Sequence, residues 1–217
     1  MKEKLKSLGI NIKNEVLLET ALTHSSYSNE KGGENYERLE FLGDAVLELI
    51  SSEYLFLNTK DNEGNMSKIR ASYVCEEALA TYAEDIDLKK YILVGHGQEK
   101  DVNDTIVADV FESVLAVIYL EQGLEVAKNY TLNLIKPYIE KKVRFNYDYK
   151  SLLQEMVQTD KKSLEYLVTK EEGPAHNRTF TIEVQINGMI YGRGVGHSKK
   201  EAEQKAAKDA YQKSCKK

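Results

Sequence analysis

In residues 179–186, TFTIEVQI, the apolar side chains Phe180, Ile182, Val184 and Ile186 fall at every second position, and Asn187-Gly188 follows at once. Alternation of period two describes a strand with one buried face, and an Asn-Gly pair supplies the positive backbone angles of a tight hairpin turn. The chain must therefore return as an antiparallel strand over 189–195, and an earlier strand is expected at 164–170. A helix opening near Asp148 precedes this hairpin. A last helix, SKKEAEQKAAKDAYQ, follows it, with Ser198 and Glu201 spaced as a capping box and alanines at 202, 206, 207 and 210 along one stripe. The tail is thus a small α+β unit of order α-β-β-β-α. The first 145 residues are different: apolar residues recur there at three- and four-residue steps, which predicts consecutive helices, the strongest over 37–57 and 105–120. A further helix is expected over 124–142, kinked or ended by Pro137. The two patterns meet near Arg144-Phe145-Asn146-Tyr147, so the expected domains are an all-helical 1–145 and an α+β 148–217.

Composition narrows the function classes. The 217 residues are 41% hydrophobic and 30% charged with only 2 Pro, which excludes collagen-like and wholly disordered chains. Cys75 and Cys215 are the only cysteines and stand far apart, so neither a zinc site nor a disulfide framework is suggested. The opening MKEKLKSLGINIKNEV lacks the apolar run of a signal peptide and no later stretch is long enough to span a membrane, which places the expected location in the cytoplasm. The net charge of -5 conceals a split. Residues 1–147 carry 17 Lys+Arg against 25 Asp+Glu, a balance of -8, whereas residues 148–217 carry 13 against 10, a balance of +3. Residues 193–217 alone hold 8 basic and 3 acidic side chains. An acidic front and a basic tail imply two domains with different tasks.

On a helical wheel Glu37, Glu40, Asp44 and Glu48 share an arc of about 80°, with Leu39, Leu42, Val46, Leu49 and Ile50 opposite. Like charges four apart cost a helix roughly 0.2–0.5 kcal/mol per pair, so such a stripe is either a solvated face or is served by a cation. The second helix favours the cation. Ile106, Val107, Val110, Phe111, Val114, Leu115, Val117 and Ile118 require it to be buried, yet it carries Asp109 and Glu112 on one side and no basic residue. A buried carboxylate without a partner costs several kcal/mol. Two acidic pairs facing one another across one or two hard divalent cations resolve that conflict, with Mg2+ the natural ion and Mn2+ a substitute.

Three segments of this half resemble the ribonuclease III family: ERLEFLGDAV at 37–46, ADVFESVLAVIYL at 108–120 and THSSY at 23–27. The tail resembles a double-stranded RNA-binding domain in DYKSLLQE at 148–155, EEGPAHNRTF at 171–180 and the SKKEAEQKAA helix. By position, the resemblance implies that Glu40, Asp44, Asp109 and Glu112 are the metal-binding and catalytic carboxylates, and that Glu37 and Glu63 line an acidic cleavage valley. Met66, where the family commonly has Leu, and NDTIVAD, without the usual serine-leucine, depart mildly from the pattern. The resemblance further implies hydrolysis of double-stranded RNA to 5′-phosphate and 3′-hydroxyl ends with short 3′ overhangs, a role in rRNA or mRNA processing, and a symmetric homodimer. Phe41 lies about 20° outside Glu48 on the wheel, beside the acidic arc and away from the apolar face, where an aromatic suggests an interface.

Lys199 and Lys200 stand in the first turn of the last helix, where the dipole disfavours cations by roughly 0.3–1 kcal/mol each and a bound anion would remove the conflict. With Ser198 and the free N–H groups they form an expected phosphate site, a solvated lysine face being the plainer alternative. The resemblance places His176 and Gln154 at the RNA minor groove. GHG at 95–97 and GRGVG at 192–196 lack the context of a nucleotide loop and are expected to be turns, and His24 is expected to be structural. Two rivals stand beside the nuclease: a non-catalytic RNA-binding protein, against which the intact acidic quartet counts, and a phosphohydrolase of small substrates, against which the basic tail counts.

Overall fold

The computed structural model describes residues 1–97, 102–143, 145, 149–159, 163–174 and 178–214. The chain divides into two compact units, Met1–Asn146 and Tyr147–Lys217. Among the described residues of the first, secondary structure is helical: α1 (Lys2–Ser7), α2 (Glu15–Leu22), α3 (Ser25–Lys31), α4 (Glu37–Asn58), α5 (Glu63–Tyr73), α6 (Glu76–Asp85), a 3-10 turn (Leu88–Tyr91), α7 (Asp104–Gln122) and α8 (Leu124–Glu140). Asn14, Asn62 and Asn103 each accept the N–H of the residue three further on, starting α2, α5 and α7. Gly123, at φ 80°, ends α7 and starts α8, a reversal that suits a residue without Cβ. Pro137 lies inside α8, which continues to Glu140.

Helix α7 is the axis of the first core. Val110, Phe111, Val114, Leu115, Val117 and Ile118 are fully buried on it, and Ser113 donates to the Ala21 carbonyl of α2 at 2.6 Å. Helix α4 contributes Leu39, Val46, Leu47 and Ile50, whereas Leu49, expected on its apolar face, is exposed. No helix among the described residues is long and apolar enough to cross a membrane.

The second unit runs α9 (Tyr149–Thr159), β1 (Leu164–Glu172), β2 (Thr179–Ile186), β3 (Met189–Gly196) and α10 (Lys199–Ser214). The sheet is antiparallel in the order β1-β2-β3, with Asn187 and Gly188 at φ 51° and 76° in the hairpin turn. Ile182, Val184 and Ile186 bury one face against Leu153 and Val157 of α9 and against Ala202, Ala206, Ala207 and Ala210 of α10. GRGVG is not a turn but the heart of β3: a Cβ on Gly192 would come to 2.3 Å from the Ala206 carbonyl oxygen, and one on Gly194 to 2.2 Å from that of Ala202. The glycines are there because strand and helix backbones touch.

Candidate active site

The acidic stripe of α4 and the carboxylates of α7 are brought together by a close crossing of the two helices at Gly43. A Cβ built on Gly43 would lie 1.9 Å from the carbonyl oxygen of Glu112 and 2.4 Å from its carbonyl carbon, so only glycine lets α4 approach there. Gly43 is flanked by Leu42 and Asp44, and its contact point is Glu112 itself. The crossing therefore sets Asp44 and Glu40 against Glu112. Sequence periodicity missed Gly43, because a wheel shows which residues share a face and not what backbone lies opposite; a lone glycine in a helix of otherwise good formers was the available signal.

Glu112 is pushed up to about 8, first by burial and then by the negative charges of Asp44, Glu40, Asp109 and Glu48. Burial likewise raises Glu40, with Asp109, Glu37 and Asp44 adding to it. Asp109 is raised by burial and by Glu76, against the lowering effects of a hydrogen bond from Tyr36 and the nearby His24. That bond, from the Tyr36 hydroxyl to Asp109 Oδ2 at 3.0 Å, is another feature the sequence did not reveal. Burial and Asp109 also drive the Tyr36 phenol upward, keeping it a donor.

Glu37 belongs to this cluster through its effects on Glu40 and Tyr36. Glu63 stands apart, exposed at the start of α5, where it accepts from Ser67 at 3.1 Å. Arg70 of α5 reaches the far end of the stripe, donating to Ser52 Oγ at 2.9 Å with its other nitrogen 4.0 Å from Glu48. Among the described residues no three Asp, Glu, His or Cys side chains stand close enough to hold an ion as they are placed. The donor chemistry nonetheless fits one. Oxygen ligands in a half-buried, mutually repelling group short of positive charge are what a hard divalent cation draws together.

In the second unit Lys199 and Lys200 are exposed in the first turn of α10, and Lys199 Nζ lies 5.7 Å from the centre of the Phe180 ring. Ser198 Oγ accepts the Glu201 N–H at 3.2 Å, while the Glu201 carboxylate reaches back to the His197 N–H at 2.7 Å. Gln154 is exposed on α9, and His176 lies outside the described residues.

Comparison with known proteins decides the lineage. The ribonuclease-III-like family profile matches residues 14–139, the segment that contains all four carboxylates. The chain belongs to the ribonuclease III family. The double-stranded RNA binding motif matches residues 149–214, the α-β-β-β-α unit. Among ribonuclease III relatives, Ribonuclease 3 of the Aster yellows witches'-broom phytoplasma is 45% identical over 97% of this chain and 90% of its own. Ribonuclease 3 of Listeria monocytogenes is 46% identical over 97% and 96%. The nuclease domain of ribonuclease III from Campylobacter jejuni, a structure described for flexibility in a region involved in dimer formation, is 41% identical with a TM-score of 0.59, covering 63% of this chain and 96% of that one. Family and RNA-binding motif together support endoribonuclease activity on double-stranded RNA.

Proposed function

We propose that the chain is an endoribonuclease that hydrolyses phosphodiester bonds of double-stranded RNA with the help of Mg2+, for which Mn2+ substitutes. The observation that carries this reading is the crossing at Gly43, which sets Asp44 and Glu40 of α4 against Glu112 of the buried helix α7, where burial and these charges push Glu112 up to about 8. A site that resists holding its charges is completed by a divalent cation. When bound, the cation would neutralise phosphate charge and lower the pKa of water. Glu40, Asp44, Asp109 and Glu112 would hold it, Glu37 and Glu63 keep the surrounding valley acidic, and the Tyr36 phenol steadies Asp109. In-line attack of water on phosphorus breaks the bond to the 3′ oxygen, leaving 5′-phosphate and 3′-hydroxyl ends.

In this reading residues 1–145 are the nuclease domain and 148–217 the RNA-binding domain, whose Lys199, Lys200 and Ser198 take phosphates while Gln154 and His176 reach the minor groove. Duplex RNA is then recognised by A-form shape rather than by sequence. A homodimer is favoured by an exposed apolar row on the first unit: Phe41 is 82% exposed, in line with exposed Ala45, Leu49 and Phe56, and an open cavity of about 520 Å3 is lined by Leu17, Leu42 and Leu120 together with polar Glu34, Glu37 and Arg38. A two-fold axis would seat each Phe41 in the partner's cavity and set two acidic sites on one duplex, giving short 3′ overhangs. Cytoplasmic rRNA and mRNA precursors are the proposed substrates, and a reducing compartment suits the free thiol of Cys75.

The test is Glu112→Gln on long duplex RNA, with parallel reactions in Mg2+ and in EDTA. Cleavage by the parent is expected only in Mg2+, and the variant should lose it by at least about 100-fold while gel-shift affinity stays within about 2-fold. Near-normal turnover by the variant would remove Glu112 from the site. Cutting in EDTA would remove the cation.

A further inference from the structure

Tyr36 stands immediately before α4, one residue ahead of the acidic stripe, and is 5% exposed. Three contacts locate it. Its backbone N–H donates to the Thr23 carbonyl at 3.0 Å, its ring lies 5.8 Å from that of His24 at a tilt of 49°, and its hydroxyl donates to Asp109 Oδ2 at 3.0 Å. His24 is itself held, because the Ser26 N–H donates to its Nδ1 at 3.1 Å and the His24 backbone N–H donates to the Leu93 carbonyl at 2.9 Å. Ser26 Oγ in turn accepts the Gly95 N–H at 2.9 Å. The phenol is thus fixed by the segment joining α2 to α3 and by the 93–95 strand-like stretch beside it, neither of which carries a member of the acidic quartet.

We infer that Tyr36 is a positioning residue that holds Asp109 by Oδ2 in one orientation and so leaves Oδ1 as the oxygen that serves a divalent cation. The inference rests on the reading that Asp109 is one of the cation's ligands. The chemistry of the donor matters. An Asp side chain has two rotatable bonds, and beside Glu112 and Glu40 its lowest-energy course is to turn its charge away from theirs. A lysine or arginine at the Tyr36 position would prevent that turn but would neutralise the carboxylate and compete with the cation. A phenol orients the carboxylate with a single hydrogen bond and leaves its negative charge in place. The buried ring, wedged beside His24, keeps the hydroxyl from following the carboxylate if it rotates.

The experiment measures Mn2+ binding by electron paramagnetic resonance on the full chain, without RNA, for the parent, Tyr36→Phe, Asp109→Ala and the double variant. Phenylalanine keeps the ring and its contact with His24, so thermal melting should stay close to that of the parent. Tyr36→Phe should weaken Mn2+ binding on the order of 10-fold, the usual effect of removing a partner of a metal ligand. In the Asp109→Ala background the same change should have no further effect, since the group it acts through is gone. Tyr36→Leu should lower the melting temperature and yet weaken Mn2+ no more than Tyr36→Phe does. Unchanged affinity in Tyr36→Phe, where Asp109→Ala does weaken binding, would overturn the role of Tyr36 alone. An equal 10-fold loss in both backgrounds would also overturn it, by showing that Tyr36 acts through something else. A parent that binds no Mn2+ would overturn the cation reading and this role with it, whereas an Asp109→Ala variant that binds as the parent does would remove Asp109 from the ligands and overturn this role alone.

Discussion

Glu112 illustrates how one side chain can oppose the fold that carries it. Its ordinary pKa is 4.5, and in the folded, cation-free chain it stands near 8, so between those values the folded state binds a proton that the unfolded state does not. Stability is therefore full below about pH 4.5 and is lost as pH rises toward 8, a loss on the order of a few kcal/mol. Glutamine cannot ionise and escapes that loss. In a chelating buffer at pH 8.5, Glu112→Gln should melt several degrees above the parent, roughly 2–4 °C for each kcal/mol, while at pH 5 the two should melt together. Equal melting at pH 8.5 would mean that Glu112 is solvated rather than buried among like charges. The sequence announced this conflict, because two acidic residues without a base on a helix as apolar as 105–120 have few resolutions. It did not announce Tyr36, whose aromatic ring is indistinguishable in a string of letters from any other core aromatic.

At the scale of elements, the crossing of α4 on α7 is the decisive contact. Gly43→Ala adds a methyl group where 1.9 Å separates it from a backbone oxygen. Ordinary contact needs about 3.4 Å, so the helices must part by an ångström or more. Alanine would gain about 1 kcal/mol in helix propensity, but overpacking against backbone costs roughly 1–3 kcal/mol, and the second effect wins. The melting temperature should drop by a few degrees and the cleavage rate by about 100-fold, because a displacement of that size between Asp44 and Glu112 misplaces the groups that act together. A variant with unchanged cleavage would show that the crossing does not set the site. The helices and the hairpin were legible from period and turn chemistry, with boundaries close to those observed: α4 and α7 lie where three-to-four spacing placed them, β2 where alternation did, and β3 where the Asn-Gly turn returned the chain. What the pattern could not tell was the neighbour. Leu49 sits on the apolar side of the wheel but is 55% exposed, and the GRGVG glycines serve a strand, because close backbone approach leaves no periodic trace.

The whole molecule separates its two charges between its two units. Residues 1–147 hold a balance of -8 and residues 148–217 one of +3, so the part that carries the acidic site repels the polyanion it is proposed to cut. Removing residues 148–217 should weaken duplex binding near physiological salt on the order of 100-fold while sparing some cleavage at low salt, because the four carboxylates of the site remain complete in the first unit. A truncated chain that binds as tightly as the parent in a salt titration would assign the attraction to the first unit instead.

The contact between β3 and α10 limits what repair is open to a damaged gene. At Gly192 and Gly194 the nearest opposing atoms are the carbonyl oxygens of Ala206 and Ala202, which belong to the main chain and are the same whatever residue is encoded there. A bulky substitution in an ordinary core can be relieved by a second mutation that shrinks its neighbour. Here the nearest opposing atoms are backbone, and shortening the one side-chain contact, the Ala210 Cβ at 2.9 Å from a Cβ on Gly192, leaves the backbone clash in place. Lesions at these two codons are therefore ones for which α10 offers no intragenic suppressor, and reversion is the direct way back.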